Sequence, residues 1–158
     1  MMQLTRALLA VALVSVLIQP VSSAEPGYAR YSTDAPFEDV MDGLRAAIQE
    51  RGLYINEIMD MAGMLQRTGE DLGLGTPAYT QAKSVQFCSA ILSHEMTIES
   101  PVRIVNCPFI ISVYEKTGES GTTYVAHREI SAQEQESSPA MRKVAKMLKD
   151  VAEAAIAW

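Results

Sequence analysis

The chain is short of positive charge, histidine and cysteine, and after its first residues it lacks any long apolar run. Lys and Arg number 13 against 19 Asp and Glu, a formal net charge of −6. Nucleic-acid phosphates call for a basic patch, so no nucleic-acid partner is expected. Adhesion to anionic lipid is disfavoured for the same reason. Beyond Ile18 nothing is apolar enough to cross a membrane. No Gly-x-Ser-x-Gly elbow and no Cys-x-x-Cys occur, and Gly73-Leu74-Gly75 lacks the Lys and the following helix of a phosphate cradle. No nucleophile, base and orienting group assemble in the sequence, so the reading leans away from an enzyme and expects no cofactor. Internal repeats, low-complexity tracts and linkers are also missing, which leaves one domain with one core.

The N-terminus reads as an export signal. Arg6 is the only charge before Glu25, Ala7 to Ile18 is almost wholly apolar, and Pro20 breaks any helix. Ser22 and Ala24 supply the small residues that a signal peptidase needs, so cleavage is expected after Ala24. A retained anchor is the alternative, but the run falls short of the ~20 residues that span a bilayer. The expected product is residues 25–158, periplasmic or secreted, with no membrane contact after cleavage.

Gly27 to Thr33 reads as a first strand. Phe37, Val40, Met41, Leu44, Ala47 and Ile48 then recur at helical spacing, with Pro36 suited to the first turn and Gly52 to the stop. Leu53 to Asp60 leans to strand, Met61 to Leu72 to a weaker helix, and Gly73 to Pro77 to a loop. Ser84 to Phe87 is a strand, Ser89 caps a helix running to about Ile98, and Pro101 marks a turn. Phe109 to Tyr114 is predicted as a central strand buried on both faces, and it returns through Gly118 and Gly121 to Thr122–Arg128. Ser138 and Pro139 open a C-terminal amphipathic helix with the stripe Met141, Val144, Leu148, Val151, Ala155 and Trp158. The stripe is read as packing on the domain's own sheet, with a dimer interface as the alternative. The sum is an α+β fold: a single two-layer domain with a mainly antiparallel sheet of four to five strands and helices packed on one face.

In its order of motifs the chain resembles the bacterial and archaeal family called domain of unknown function 302, over roughly Ala35 to Arg128. The opening helix runs from Phe37-Glu38-Asp39-Val40 through Leu44 and Ala47-Ile48 to Gly52. A strand follows that ends in a small turn, Val85-Gln86-Phe87-Cys88-Ser89. Last comes Cys107-Pro108 before the strand that ends in Val113-Tyr114-Glu115. The resemblance implies a small α+β domain, often dimeric, with no established activity and no catalytic residues to carry over. Many members resemble Gly-Asn-Pro where this chain has Cys88-Ser89-Ala90, and Leu-Pro where it has Cys107-Pro108. Both cysteines thus fall on the family's two most recognisable turns, as expected of an exported, cysteine-bearing subgroup.

Two cysteines in an oxidising compartment favour a bridge, and Cys88–Cys107 is read as a structural disulfide. The alternative is a redox-active or sulfur-carrying pair, in which a thiol at a helix start has its thiolate stabilised and its pKa lowered. A weaker alternative is copper or haem held by His94 and Met96, or a metal shared with Cys88 and His127. Residues two apart on a helix do not share a face, so no metal site is expected. Met59, Met61 and Met64 are read as core packing, or else as an adaptable apolar surface. Glu57 and Asp60, like Glu70 and Asp71, are read as solvated faces or caps. The function expected is a non-enzymatic binding or accessory protein, with a small molecule or a protein as partner, a second copy of the chain included.

Overall fold

The computed structural model describes residues 26–158, so the expected leader (residues 1–24) and its cleavage point lie outside the described residues. The order of elements is β1 (Tyr28–Thr33), α1 (Phe37–Glu50), β2 (Tyr54–Asp60), α2 (Met61–Leu72), β3 (Tyr79–Cys88) and α3 (Ala90–Glu99). A 3-10 turn at Pro101–Asn106 leads to β4 (Phe109–Lys116), β5 (Thr123–Arg128), α4 (Ala132–Ser137) and α5 (Pro139–Ile156). The five strands form one antiparallel sheet in the order β1-β5-β4-β3-β2. The α+β expectation holds, and β4 is the central strand.

Local chemistry sets the helix ends. After α1, the Gly52 N–H donates to the Gln49 carbonyl and the Leu53 N–H to the Ile48 carbonyl, with Gly52 at a φ of 67°. This is a Schellman stop, and it needs the left-handed conformation that glycine adopts without a Cβ clash. Pro36 is the residue just before α1 rather than its first member. Ser89, Ser131 and Ser138 cap α3, α4 and α5, each hydroxyl accepting an N–H from the first turn.

One face of the sheet carries the core. Val85 and Phe87 of β3, Ile111 and Val113 of β4 and Val125 of β5 are buried against Val40, Met41, Leu44 and Ile48 of α1 and Met141, Val144, Leu148 and Val151 of α5. Side chains of this kind each contribute about 1.5–3 kcal/mol when fully buried. The α5 stripe therefore packs inside its own domain, as read from its spacing. Trp158 is the exception: α5 ends at Ile156, and Trp158 lies beyond it, 67% exposed, against Gly43 of α1.

The two-sided burial expected of β4 does not occur. Its side chains alternate, with Phe109, Ile111 and Val113 buried and Ile110 46% exposed. The reason is that α1 and α5 cover only the first face. The helices also do not all lie on that face. Met61 and Leu65 of α2 meet Ala82, Ser84, Ser112, Tyr114 and Ala126, the set that alternates with the core residues. α2 therefore sits on the opposite face and buries none of its residues fully.

All five strands differ in length from the reading, β1 and β5 by one residue each, since they begin at Tyr28 and Thr123. β3 extends back to Tyr79, because Thr80, Gln81 and Lys83 belong to a ladder with β4 that their polarity conceals. β4 continues to Lys116, and β2 begins at Tyr54. Among the described residues no helix is long and apolar enough to cross a membrane.

Candidate functional site

The first region of interest is one end of the β3–β4 ladder. Phe87 pairs with Phe109, so Cys88 and Cys107 both lie just beyond that pair, on neighbouring chain ends. Cys88 is the last residue of β3 and pairs with Tyr54. Cys107 packs against the core, with its Sγ 3.0 Å from the Ser93 hydroxyl of α3 and a cis peptide bond to Pro108. Both are free thiols, so the bridge expected from the sequence is not present in this structure.

The lowered pKa expected of a thiol at a helix start is also not found. Burial, and then the neighbouring Cys107, push the Cys88 thiol up. The cause is positional. Ser89 occupies the cap of α3 and takes the Leu92 N–H at 3.3 Å, leaving Cys88 one residue outside it. The strand, not the helix dipole, sets its surroundings.

The second region lies between the sheet and α5. Two adjacent cavities of about 280 and 320 Å³ share Glu129 and Ile130 as a common wall. The smaller reaches Pro108 and Phe109 at the cysteine end. The larger is lined by Tyr31 of β1, His127 of β5 and Arg142, Lys146 and Lys149 of α5.

His127 shares the inward parity of Val125 on β5 and is 7% exposed. Its Nδ1 lies 2.8 Å from the Arg128 carbonyl oxygen, which can only accept, so Nδ1 carries a proton. Nε2 then faces the Tyr31 hydroxyl at 3.5 Å. Burial pulls the His127 pKa down, against smaller upward effects of that carbonyl and of Glu129. Tyr31 is raised, first by burial and then by Glu153, Glu129 and Asp150. The floor of the cavity is thus neutral and polar at neutral pH, under a wall of mixed charge in which Arg142, Lys146 and Lys149 stand among Glu129, Asp150 and Glu153.

The weak metal candidates do not converge. His94 is exposed, whereas Met96 on the same helix is fully buried in the core. His127 belongs to the α5 cavity, and no group of three His, Cys, Asp or Glu residues that could hold a metal ion occurs among the described residues. The methionines divide: Met59 accepts a contact from Gln86 on β3, Met61 lines the α2 groove, and Met64 is exposed. Asp60 caps α2 through the Gly63 N–H at 3.0 Å, as a cap reading expects.

Sequence reasoning singled out His127 but not Tyr31 or the α5 cations. A signal for them exists: Arg142, Lys146 and Lys149 recur at helical spacing in an otherwise acidic chain.

No curated protein matches the chain. Among solved structures, it is similar to the crystal structure of an uncharacterised conserved DUF302 protein from Bacillus stearothermophilus. The TM-score is 0.66 at 12% identity, over 83% of this chain and 99% of that one, a likeness of fold alone. The family described as Domain of unknown function DUF302 matches residues 28–155, which adds β1, α4 and α5 to the span that the motifs alone suggested. The chain belongs to the DUF302 family.

Proposed function

We propose that the chain is an exported accessory or binding domain, periplasmic or secreted after cleavage at Ala24, whose Cys88 and Cys107 close as a structural bridge. The partner is a small molecule or another protein. The observation that carries this reading is the state of Cys88. It lies just past the Phe87–Phe109 pair, as Cys107 does, and burial plus that neighbour favour its protonated form. A thiol that cycles in catalysis needs the reverse, a stabilised thiolate. A permanent bridge needs no stabilised thiolate, only backbone positions that bring the two Cβ atoms to bonding geometry.

One observation favours the alternative of a redox or sulfur-handling pair. The Ser93 hydroxyl lies 3.0 Å from the Cys107 sulfur, so a polar group faces that sulfur at hydrogen-bond distance. A thiol count separates the two readings. The mature protein, taken from its export compartment, is alkylated natively, then after denaturation, then after graded reduction, and weighed at each stage. A structural bridge admits label only after denaturation and strong reduction together. Fast native labelling, easy reduction or extra sulfur mass on one cysteine overturns it in favour of thiol chemistry.

A further inference from the structure

The 320 Å³ cavity beside α5 has a composition that packing alone does not require. Its floor is the buried His127 beside the half-buried Tyr31, and its wall carries Arg142, Lys146 and Lys149 on one helical stripe. We propose that this cavity binds a small oxyanion, a carboxylate or phosphate group, seated between that stripe and the Tyr31 hydroxyl. This deepens the binding-domain reading by naming a ligand class.

The cations are available at little cost. Lys146 pairs with Asp150 at 2.5 Å and Lys149 with Glu153, both within one helix and both solvent-exposed. Exposed pairs of this kind contribute little, less than a charge-assisted bond to a partly buried anion. Arg142 spends its Nε–H on the Gln135 carbonyl at 3.1 Å, which steadies the guanidinium and leaves its terminal nitrogens to donate. Tyr31 has one hydroxyl proton, and its contact with His127 Nε2 is long, at 3.5 Å, so the hydroxyl can turn from that nitrogen to donate to a bound anion.

Glu129 lines the same cavity with the opposite charge. It rejects a second anionic group nearby and favours a hydroxyl or ammonium on that side of the ligand. Small hydroxy acids and phosphate esters satisfy both ends. Two lining residues, Ala145 and Ile130, give the cavity an apolar flank that suits a short carbon chain.

The test is a pair of titrations of the mature protein at constant ionic strength, one with sodium phosphate and one with sodium lactate. Each is followed by the side-chain NMR signals of His127 and Tyr31, with sodium chloride as reference. Saturable shifts with either probe, absent with chloride, are the expected result. A response to phosphate alone points to phosphate-bearing ligands, and to lactate alone to carboxylates. The R142Q/K146Q variant should weaken binding about tenfold or more, and K149Q less. No saturable shift with either probe, or an undiminished response in the folded R142Q/K146Q protein, overturns the site. A permanent bridge found without anion binding would sink this inference and leave the binding-domain reading standing.

Discussion

Ser138 donates its hydroxyl to the carboxylate of Glu99 while accepting the Met141 N–H at 3.0 Å. Glu99 ends α3, and it also takes the Ala140 N–H at 3.0 Å and the Arg103 guanidinium at 2.6 Å. The last residue of one helix therefore completes the N-terminus of another, where a negative charge meets the positive end of the dipole. The Ser138 hydrogen bond, followed by Ala140 and Arg103, holds the Glu99 carboxyl below the usual range in spite of some desolvation. Ser138→Ala should lower stability by about 1–2 kcal/mol in urea unfolding, since Ser138 is fully buried. For Glu99 the folded pKa is depressed, so its contribution is complete above the unfolded value of ~4.3 and is lost as pH falls through the folded one. E99Q should flatten the acid limb of the stability curve; an unchanged limb would show that the carboxylate does not hold α5.

Gly43 and Gly69 should respond in opposite senses to the same substitution. A Cβ on Gly43 would lie 2.7 Å from the Trp158 Cβ and 2.8 Å from the Ala155 carbonyl oxygen. The first neighbour is a side-chain atom of a residue beyond α5, but the second is α5 backbone, which cannot shift without moving the helix. Gly43→Ala should therefore cost about 1–3 kcal/mol through overpacking. A Cβ on Gly69, inside α2, meets nothing within 4 Å. Gly69→Ala should stabilise by up to about 1 kcal/mol through helix propensity. Thermal unfolding of the two variants decides it, and equal shifts would deny the close approach of α1 and α5.

The elements most legible in the sequence were those whose hydrophobic period and caps agree. α1 and α5 have both, and each appears within two residues of its reading. α4 was missed because Ala132 to Ser137 is polar on every side and buries nothing fully. The first half of β3 was missed because its exposed residues are polar and its pairing with β4 is long-range. For β4, the run Phe109-Ile110-Ile111 hid the alternation, since Ile110 is an exposed apolar residue of a kind that surfaces tolerate. The cysteine end was readable as two turns, but the raised Cys88 pKa depends on the neighbouring strand end. The α5 cavity joins residues from opposite ends of the chain, and only the sheet order brings Tyr31 to His127.

His127 makes a prediction about neutral to mildly acidic pH. Burial depresses its folded pKa below the unfolded value of ~6.5. The unfolded chain therefore binds a proton that the folded chain resists, and stability rises with pH across that window. The contribution is complete above ~6.5 and is lost as pH falls toward and through the folded value. Glu129, which opposes the shift, makes the loss smaller. Melting temperatures taken from roughly pH 8 to pH 5 should fall in the wild type and fall less in H127Q. Parallel curves would mean that His127 is not held neutral.

The bridge makes a prediction about stability that is separate from labelling. Closing Cys88 to Cys107 constrains an unfolded loop of roughly twenty residues, worth up to ~3 kcal/mol in the chain-entropy model. The loop it closes contains α3 and the Pro101–Asn106 turn, whose other ties include Met96 in the core, the Glu99–Ser138 contact and the Glu95–Lys143 ion pair. Oxidised protein should therefore unfold at higher urea than reduced protein. C88S/C107S should match the reduced form and ignore reductant. A catalytic pair behaves differently, because a strained disulfide gives back part of its chain-entropy gain and is reduced under mild conditions. Equal or lower stability on oxidation would thus remove the structural role and hand the two thiols to redox chemistry.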